Sequence, residues 1–301
     1  MVNHFLKFSD IASGEIQPLL ERAVELKAGA TSTALAGKSV VILFEKPSLR
    51  TKLSFWVGIE KLGGNPVHFA PEEVGLGKRE PVADVANVMS RMSDAAVIRT
   101  FEQSTIEEFA AASSIPVINA LTDVEHPCQA LADTQTIFEQ LGSVSGANVA
   151  FIGDGNNVAV SLAYAVAGLG GHLTFASPDG YTVHQESLDG ANAYGVAVGG
   201  SVKQVINPQE AVANADIVYT DVWTSMGKEA ETANRLKAFE GYQVNPELLD
   251  QAGLNVKFMH DLPAHPGEEI SDGLLYDSRS VAFDQAENRL WAQGALMEKL
   301  I

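Results

Sequence analysis

A chain of 301 residues with 20 Lys+Arg against 38 Asp+Glu carries a formal charge of −18 at pH 7. That field disfavours nonspecific binding to nucleic acid or anionic membrane, so any small anion must be met by a local group of cations. The length allows two domains, a hydrophobic share of 46% against 19% charged is globular, and one cysteine, Cys128, excludes an internal disulfide framework.

The opening residues, MVNHFLKFSD, lack the basic start and apolar core of a secretory signal. No apolar run approaches the roughly 18 residues of a membrane-spanning helix, and a cytoplasmic chain is expected. Ser39–Phe44 (SVVILF) reads as a buried strand and residues 49–62 as the next helix. Residues 95–100 (AAVIRT) form a strand, 105–113 a helix and 116–119 a short strand, before a helix over Pro127–Leu141. The Gly/Ser-bearing stretch 142–146 is a domain junction. Beyond it, Asn148–Ile152, 173–176, Ser201–Val205, 216–219 and 256–260 read as strands with helices between them, and 281–300 as a closing helix. Alternating elements with continuously apolar strands predict an α/β fold of two doubly wound parallel-sheet domains.

The densest chemistry lies in EKPSLRTKLSF, residues 45–55. Leu49, Leu53, Trp56, Ile59 and Leu62 recur at helical spacing, so the reading places all five on one buried face. Ser48 takes the cap position, and Gly63-Gly64 mark the stop. Ser48, Arg50, Thr51 and Lys52 therefore crowd a first turn whose free N–H groups and dipole already favour an anion. An ordinary capped helix with solvated cations is the competing reading. In VEHPCQALAD, Pro127 makes His126 the cap of the next helix, with Gln129 in its opening turn. Arg99 ends an apolar strand, where its charge needs either an ion pair or a ligand at the strand's carboxyl edge.

FEKPSLRTK, IRTF and HPCQALAD resemble the carbamoyl-phosphate motifs of the aspartate/ornithine transcarbamoylase family. FIGDGNNVAVS, DVWTSMGKEAE and MHDLPAHPGEEI resemble the second-domain motifs of its ornithine branch, and the resemblance runs the length of the chain. It implies carbamoyl transfer from carbamoyl phosphate to the δ-amine of L-ornithine, giving citrulline and phosphate. Residues 1–141 with 286–301 would bind carbamoyl phosphate and 142–285 the amino acid, with the last helix returning to the first domain. Ser48, Leu49, Arg50, Thr51 and Lys52 would grip the phosphate. Arg99, His126, Gln129 and Thr51 would polarise the carbonyl, and Arg289, in AENRLW, would complete the anion site. A homo-oligomer is implied, a trimer or a multiple of trimers.

In the second half, Gly153-x-Gly155 is followed by Val158 where a dinucleotide fingerprint needs glycine, and LTFAS ends without an acid for a ribose. No nucleotide is expected. Asn156 and Asn157 offer amides to the charged ends of an amino acid, or serve simply as turn residues. Asp221, after ADIVYT, suits an ammonium, while Ser225 and the backbone of Met226 suit a carboxylate. Asp261 and Leu262 would lie beside the reacting amine, and Asp261 stands where the family's ornithine enzymes carry cysteine. A carboxylate there favours the ammonium over the reactive amine. That departure keeps two alternatives open: another acceptor, such as putrescine or a lysine-like amine, and a non-catalytic binder of carbamoyl phosphate. Trp56 also departs from the family, and is read as core. Lys78, in GLGKREPVAD, reads as solvated. No cofactor is expected and no metal, because His260 and His265 are too isolated in sequence to form a ligand set.

Overall fold

The computed structural model describes residues 3–301 apart from Met226. The chain forms two compact units, one running to Gln135 and joined by Glu287–Ile301, the other Thr136–Ala286. In the first unit, in chain order, come α1 (Ser13–Lys27), β1 (Ser39–Phe44), α2 (Leu49–Lys61), β2 (Asn65–Phe69), α3 (Pro71–Val74) and α4 (Val82–Met89). β3 (Ala95–Arg99), α5 (Gln103–Ala112), β4 (Val117–Leu121) and α6 (Pro127–Leu141) follow.

The four strands pair in parallel in the order β2-β1-β3-β4. β1, β3 and β4 are apolar and buried almost end to end because helices cover both faces. β2 is an edge strand absent from the sequence reading. Its Pro66 cannot donate to a ladder, which an edge tolerates. The chain order reverses between β1 and β3, so the carboxyl ends of these two strands frame a crevice where parallel sheets take ligands.

The buried face of α2 differs from the expected stripe. Thr51, Ser54, Phe55, Gly58 and Ile59 are buried, whereas Leu49 is 75% and Leu53 58% exposed. A Cβ added at Gly58 would lie 3.3 Å from Met297 and 3.5 Å from Leu290, so the C-terminal helix lies close against α2 there. That approach puts small residues inside and turns the leucines out. Trp56 is only half-buried and donates its indole N–H to Glu60 at 3.1 Å, which corrects its assignment to the core.

The second unit contains β5 (Asn148–Ile152), α7 (Asn157–Gly168), β6 (His172–Ala176), α8 (Gln185–Gly195), β7 (Ser201–Val205) and α9 (Pro208–Val212). Then come β8 (Ile217–Thr220), α10 (Thr232–Ala238), α11 (Pro246–Leu249), β9 (Lys257–His260) and α12 (Ala282–Leu300), which rejoins the first unit from Glu287. This sheet is also parallel, in the order β7-β6-β5-β8-β9, with its reversal between β5 and β8. Phe151 anchors it, with Phe175 and Tyr219 at ring-centroid distances of 5.6 and 5.4 Å. The turn after β5 requires Gly155: a Cβ there would sit 2.3 Å from the backbone N of Val183. Among the described residues, no helix is long and apolar enough to cross a membrane.

Candidate active site

Strand ends deliver the first group of side chains. After β1, Ser48 caps α2: its Oγ accepts the Thr51 N–H at 3.3 Å and donates to Thr51 Oγ1 at 2.9 Å. Thr51 is fully buried, and its Oγ1 also accepts from Arg289 Nη2 at 2.5 Å. Arg50 and Lys52 are half-buried in the same turn, and Lys52 Nζ lies 3.4 Å from His68 Nδ1. Burial and that ammonium lower the His68 pKa. Leu49 points its side chain to solvent, so only its backbone can serve an anion.

Arg99 at the end of β3, His126 before α6, Gln129 and Arg289 are all buried. Burial holds the His126 pKa well below the ordinary histidine value, and the guanidiniums of Arg289 and Arg99 push the same way. A neutral imidazole beside two guanidiniums can donate a hydrogen bond to a carbonyl without adding to the charge. Gln129 Nε2 is held by Asp133 at 2.8 Å, leaving its oxygen as the free end of the amide. Neighbouring Cys128 is not a nucleophile. Burial pushes its thiol up to about 12, and Sγ donates to the Asn119 carbonyl at 3.3 Å. Sequence reasoning missed Lys46, which is buried, paired with Asp123 and 4.4 Å from the Phe101 ring centroid. It ties the turn after β1 to the loop that leads into His126. Lys78 is exposed, as expected.

The second unit gathers a contrasting, acidic group. Asn156 caps α7, its Oδ1 accepting from Val158 N and Ala159 N at 3.0 and 3.2 Å, while Nδ2 donates to Asp221 Oδ2 at 2.7 Å. Its amide is thereby spent on positioning Asp221. The other Asp221 oxygen accepts the Val222 N–H at 2.6 Å. Asn157 opens the helix half-buried, and Ser225 is half-buried in the loop after β8. Met226, assigned to the same loop, lies outside the described residues.

Arg235 was also missed, because a lone arginine in a short helix carries no motif. Its Nη1 donates at 2.8 Å both to Asp154 Oδ2, in the turn after β5, and to the Trp223 carbonyl, and its Nε to Glu231 at 2.9 Å. It thus holds the stem of the Ser225 loop. Burial raises the Asp154 pKa, against the opposing pull of Arg235.

Asp261 follows β9 with its side chain mostly covered. Carboxylate oxygens of Asp221 and Asp261 and a nitrogen of His260 all lie within 4.8 Å of one another. His265, Glu268 and Glu269 form a second such group, so folding gives each of the two histidines carboxylate neighbours but does not join them in one ligand set. His260 nevertheless has no nitrogen to give a metal. Its Nδ1 accepts the Leu262 N–H at 2.9 Å and its Nε2 faces Glu269 Oε1 at 3.1 Å. Two carboxylates this close suit an ammonium-bearing ligand. Leu262 itself has φ +61, a left-handed conformation costing about 1–2 kcal/mol for a residue with a Cβ.

The first unit thus carries a basic, neutral-histidine group at the end of its parallel sheet, suited to an anion, and the second an acidic group at the end of its own, suited to a cation. The profile described as aspartate/ornithine carbamoyltransferase, carbamoyl-P binding domain, matches residues 3–139, and that described as the Asp/Orn binding domain matches 145–300. The chain belongs to the aspartate/ornithine carbamoyltransferase family. It is 49% identical to the anabolic ornithine carbamoyltransferase of Pseudomonas aeruginosa, over 100% of this chain and 97% of the relative. It is 46% identical to the ornithine carbamoyltransferase of Anoxybacillus flavithermus, over 99% and 96%. The structure of ornithine carbamoyltransferase from Pyrococcus furiosus superposes with a TM-score of 0.95 at 41% identity, over 100% of this chain and 97% of that one.

Proposed function

We propose that this chain is an ornithine carbamoyltransferase: it transfers the carbamoyl group of carbamoyl phosphate to the δ-amine of L-ornithine, releasing L-citrulline and phosphate. The observation that carries the reading is buried, neutral His126 beside the guanidiniums of Arg99 and Arg289. The N–H groups that open α2, with Ser48, Arg50, Thr51 and Lys52, bind the phosphate. Arg289 holds Thr51 and adds its charge to the anion. Arg99 and His126 donate to the carbamoyl oxygen and stabilise the oxyanion that forms as the amine attacks, a large contribution in acyl transfer, while the Gln129 oxygen accepts from the carbamoyl N–H. The C–N bond forms, the C–O bond to phosphate breaks, and the departing phosphate takes the amine's proton.

On the acceptor side, Asp221 receives the α-ammonium, with Asn156 fixing its carboxylate. Ser225 and Met226 take the α-carboxylate, Asn157 assists, and Asp261 with the Leu262 backbone lies at the δ-amine. No cofactor enters this chemistry. Asp261 also supports a second reading, transfer to a different amine, because a second carboxylate near Asp221 suits a second cation. The exposed apolar side chains Leu49, Leu53 and Met92 of the first unit suit a subunit contact, which we assign to a trimer or a multiple of trimers. A free, buried Cys128 fits a reducing cytoplasm, and citrulline formation places the enzyme in arginine metabolism.

The test is ureido-product formation from carbamoyl phosphate with ornithine, putrescine, lysine and N-acetylornithine in parallel, from pH 7 to pH 10. Turnover with ornithine above the others is expected. Preferred turnover of another amine would reassign the acceptor, and binding of carbamoyl phosphate without turnover of any amine would refute catalysis.

A further inference from the structure

Beyond the residues assigned to the substrates, the segment after β9 contains a buried relay. His260 and Glu269 are both fully buried. The Leu262 N–H donates to His260 Nδ1 at 2.9 Å, and a nitrogen that accepts a hydrogen bond carries no proton. The ring proton therefore sits on Nε2, which donates to Glu269 Oε1 at 3.1 Å. The same Oε1 accepts the His265 N–H at 2.6 Å. One carboxylate oxygen thus sets the imidazole tautomer and also holds the far end of the 260–265 loop. Gln285 holds the near end, accepting the His260 N–H at 2.8 Å.

Leu262 makes the tautomer matter. At φ +61 it keeps a conformation that side chains disfavour, and its N–H has His260 Nδ1 as acceptor. If the proton moved to Nδ1, two N–H groups would face each other, and Leu262 would relax. Asp261 and the Leu262 carbonyl would turn with it. We infer that Glu269 is a positioning residue for the amine acceptor, acting through the His260 tautomer on Asp261 and Leu262. This rests on the proposed assignment of the β9 edge to the acceptor.

The test compares Glu269→Gln with Glu269→Leu. Glutamine keeps an oxygen that accepts both N–H groups, whereas leucine keeps none. Steady-state kinetics should show the ornithine KM rising about tenfold or more in E269L, with the carbamoyl phosphate KM within about twofold of wild type. E269Q should restore the ornithine KM to within about threefold. An unchanged ornithine KM in E269L, or E269Q as impaired as E269L, would overturn the inference. Imidazole 15N shifts supply a readout independent of turnover: His260 should be the Nε2–H tautomer in wild type and E269Q. An Nδ1–H ring in wild type would overturn the relay even if E269L failed to fold. A wild type inactive with ornithine but carrying the Nε2–H ring would instead sink the acceptor assignment, and with it Glu269's role in binding.

Discussion

His126 should make the first unit sensitive to acid in a way that one substitution removes. In the folded protein its pKa lies well below 6.5, because burial and the charges of Arg289 and Arg99 oppose an imidazolium. In the unfolded chain it titrates near 6.5. Above that pH both states are neutral and the residue contributes no pH dependence. As pH falls below 6.5 the unfolded state takes up a proton that the folded state refuses, so stability is lost until the folded pKa is reached. The limiting slope is about 1.4 kcal/mol per pH unit. A folded state that takes up no proton over this range loses about 2 kcal/mol between pH 8 and pH 5, the upper limit of the effect. Urea unfolding of wild type and His126→Gln, followed by circular dichroism across that range, isolates this contribution, since the other titrating groups are common to both. The variant's stability should fall less steeply than wild type's below pH 6.5, by up to this amount. Parallel curves would mean that the folded protein accommodates the imidazolium, and the neutral hydrogen-bond donor assigned to the carbamoyl oxygen would have to be abandoned.

Thr51→Val keeps the shape of a buried side chain but removes the acceptor for Arg289 and Ser48. Losing the acceptor of a charged donor costs about 1.5–3 kcal/mol, so calorimetry should show phosphate binding weakened roughly tenfold to a hundredfold; an unaltered Kd would show that Arg289 needs no such brace. Cys128, buried and with its thiol pushed up to about 12, should resist an aromatic disulfide reagent at pH 8 until urea unfolds the chain. Stoichiometric reaction of the native protein would contradict the packing beside His126. Asp261→Cys removes a carboxylate that favours the ammonium of the acceptor, so ornithine turnover near pH 7 should rise and the pH optimum move down. An identical rate profile would place Asp261 away from the reacting amine.

What could be read from the sequence was what the chain decides locally. Ser48 and Asn156 are caps whose partners lie two or three residues away, and the strand ends that carry Arg99, Asp221 and Asp261 follow from apolar runs and their limits. The buried face of α2 was not local. Counting apolar residues selects Leu49 and Leu53, but the close approach of Met297 and Leu290 to Gly58 selects the small-residue side. β2 escaped because Pro66 is permitted only by an edge position that the sequence does not announce. The same division runs through the site. Resemblance supplied Arg289, yet its bond to Thr51 spans 238 positions, and no spacing encodes it. Glu269, in a polar GEE stretch, looks like surface and is fully buried. The electrostatics follow the same rule. A chain of net charge −18 keeps Arg99 and Arg289 buried near His126, and it is their proximity, with burial, that keeps the imidazole neutral. The residue type suggests a donor, but only the packing decides which protonation state that donor has.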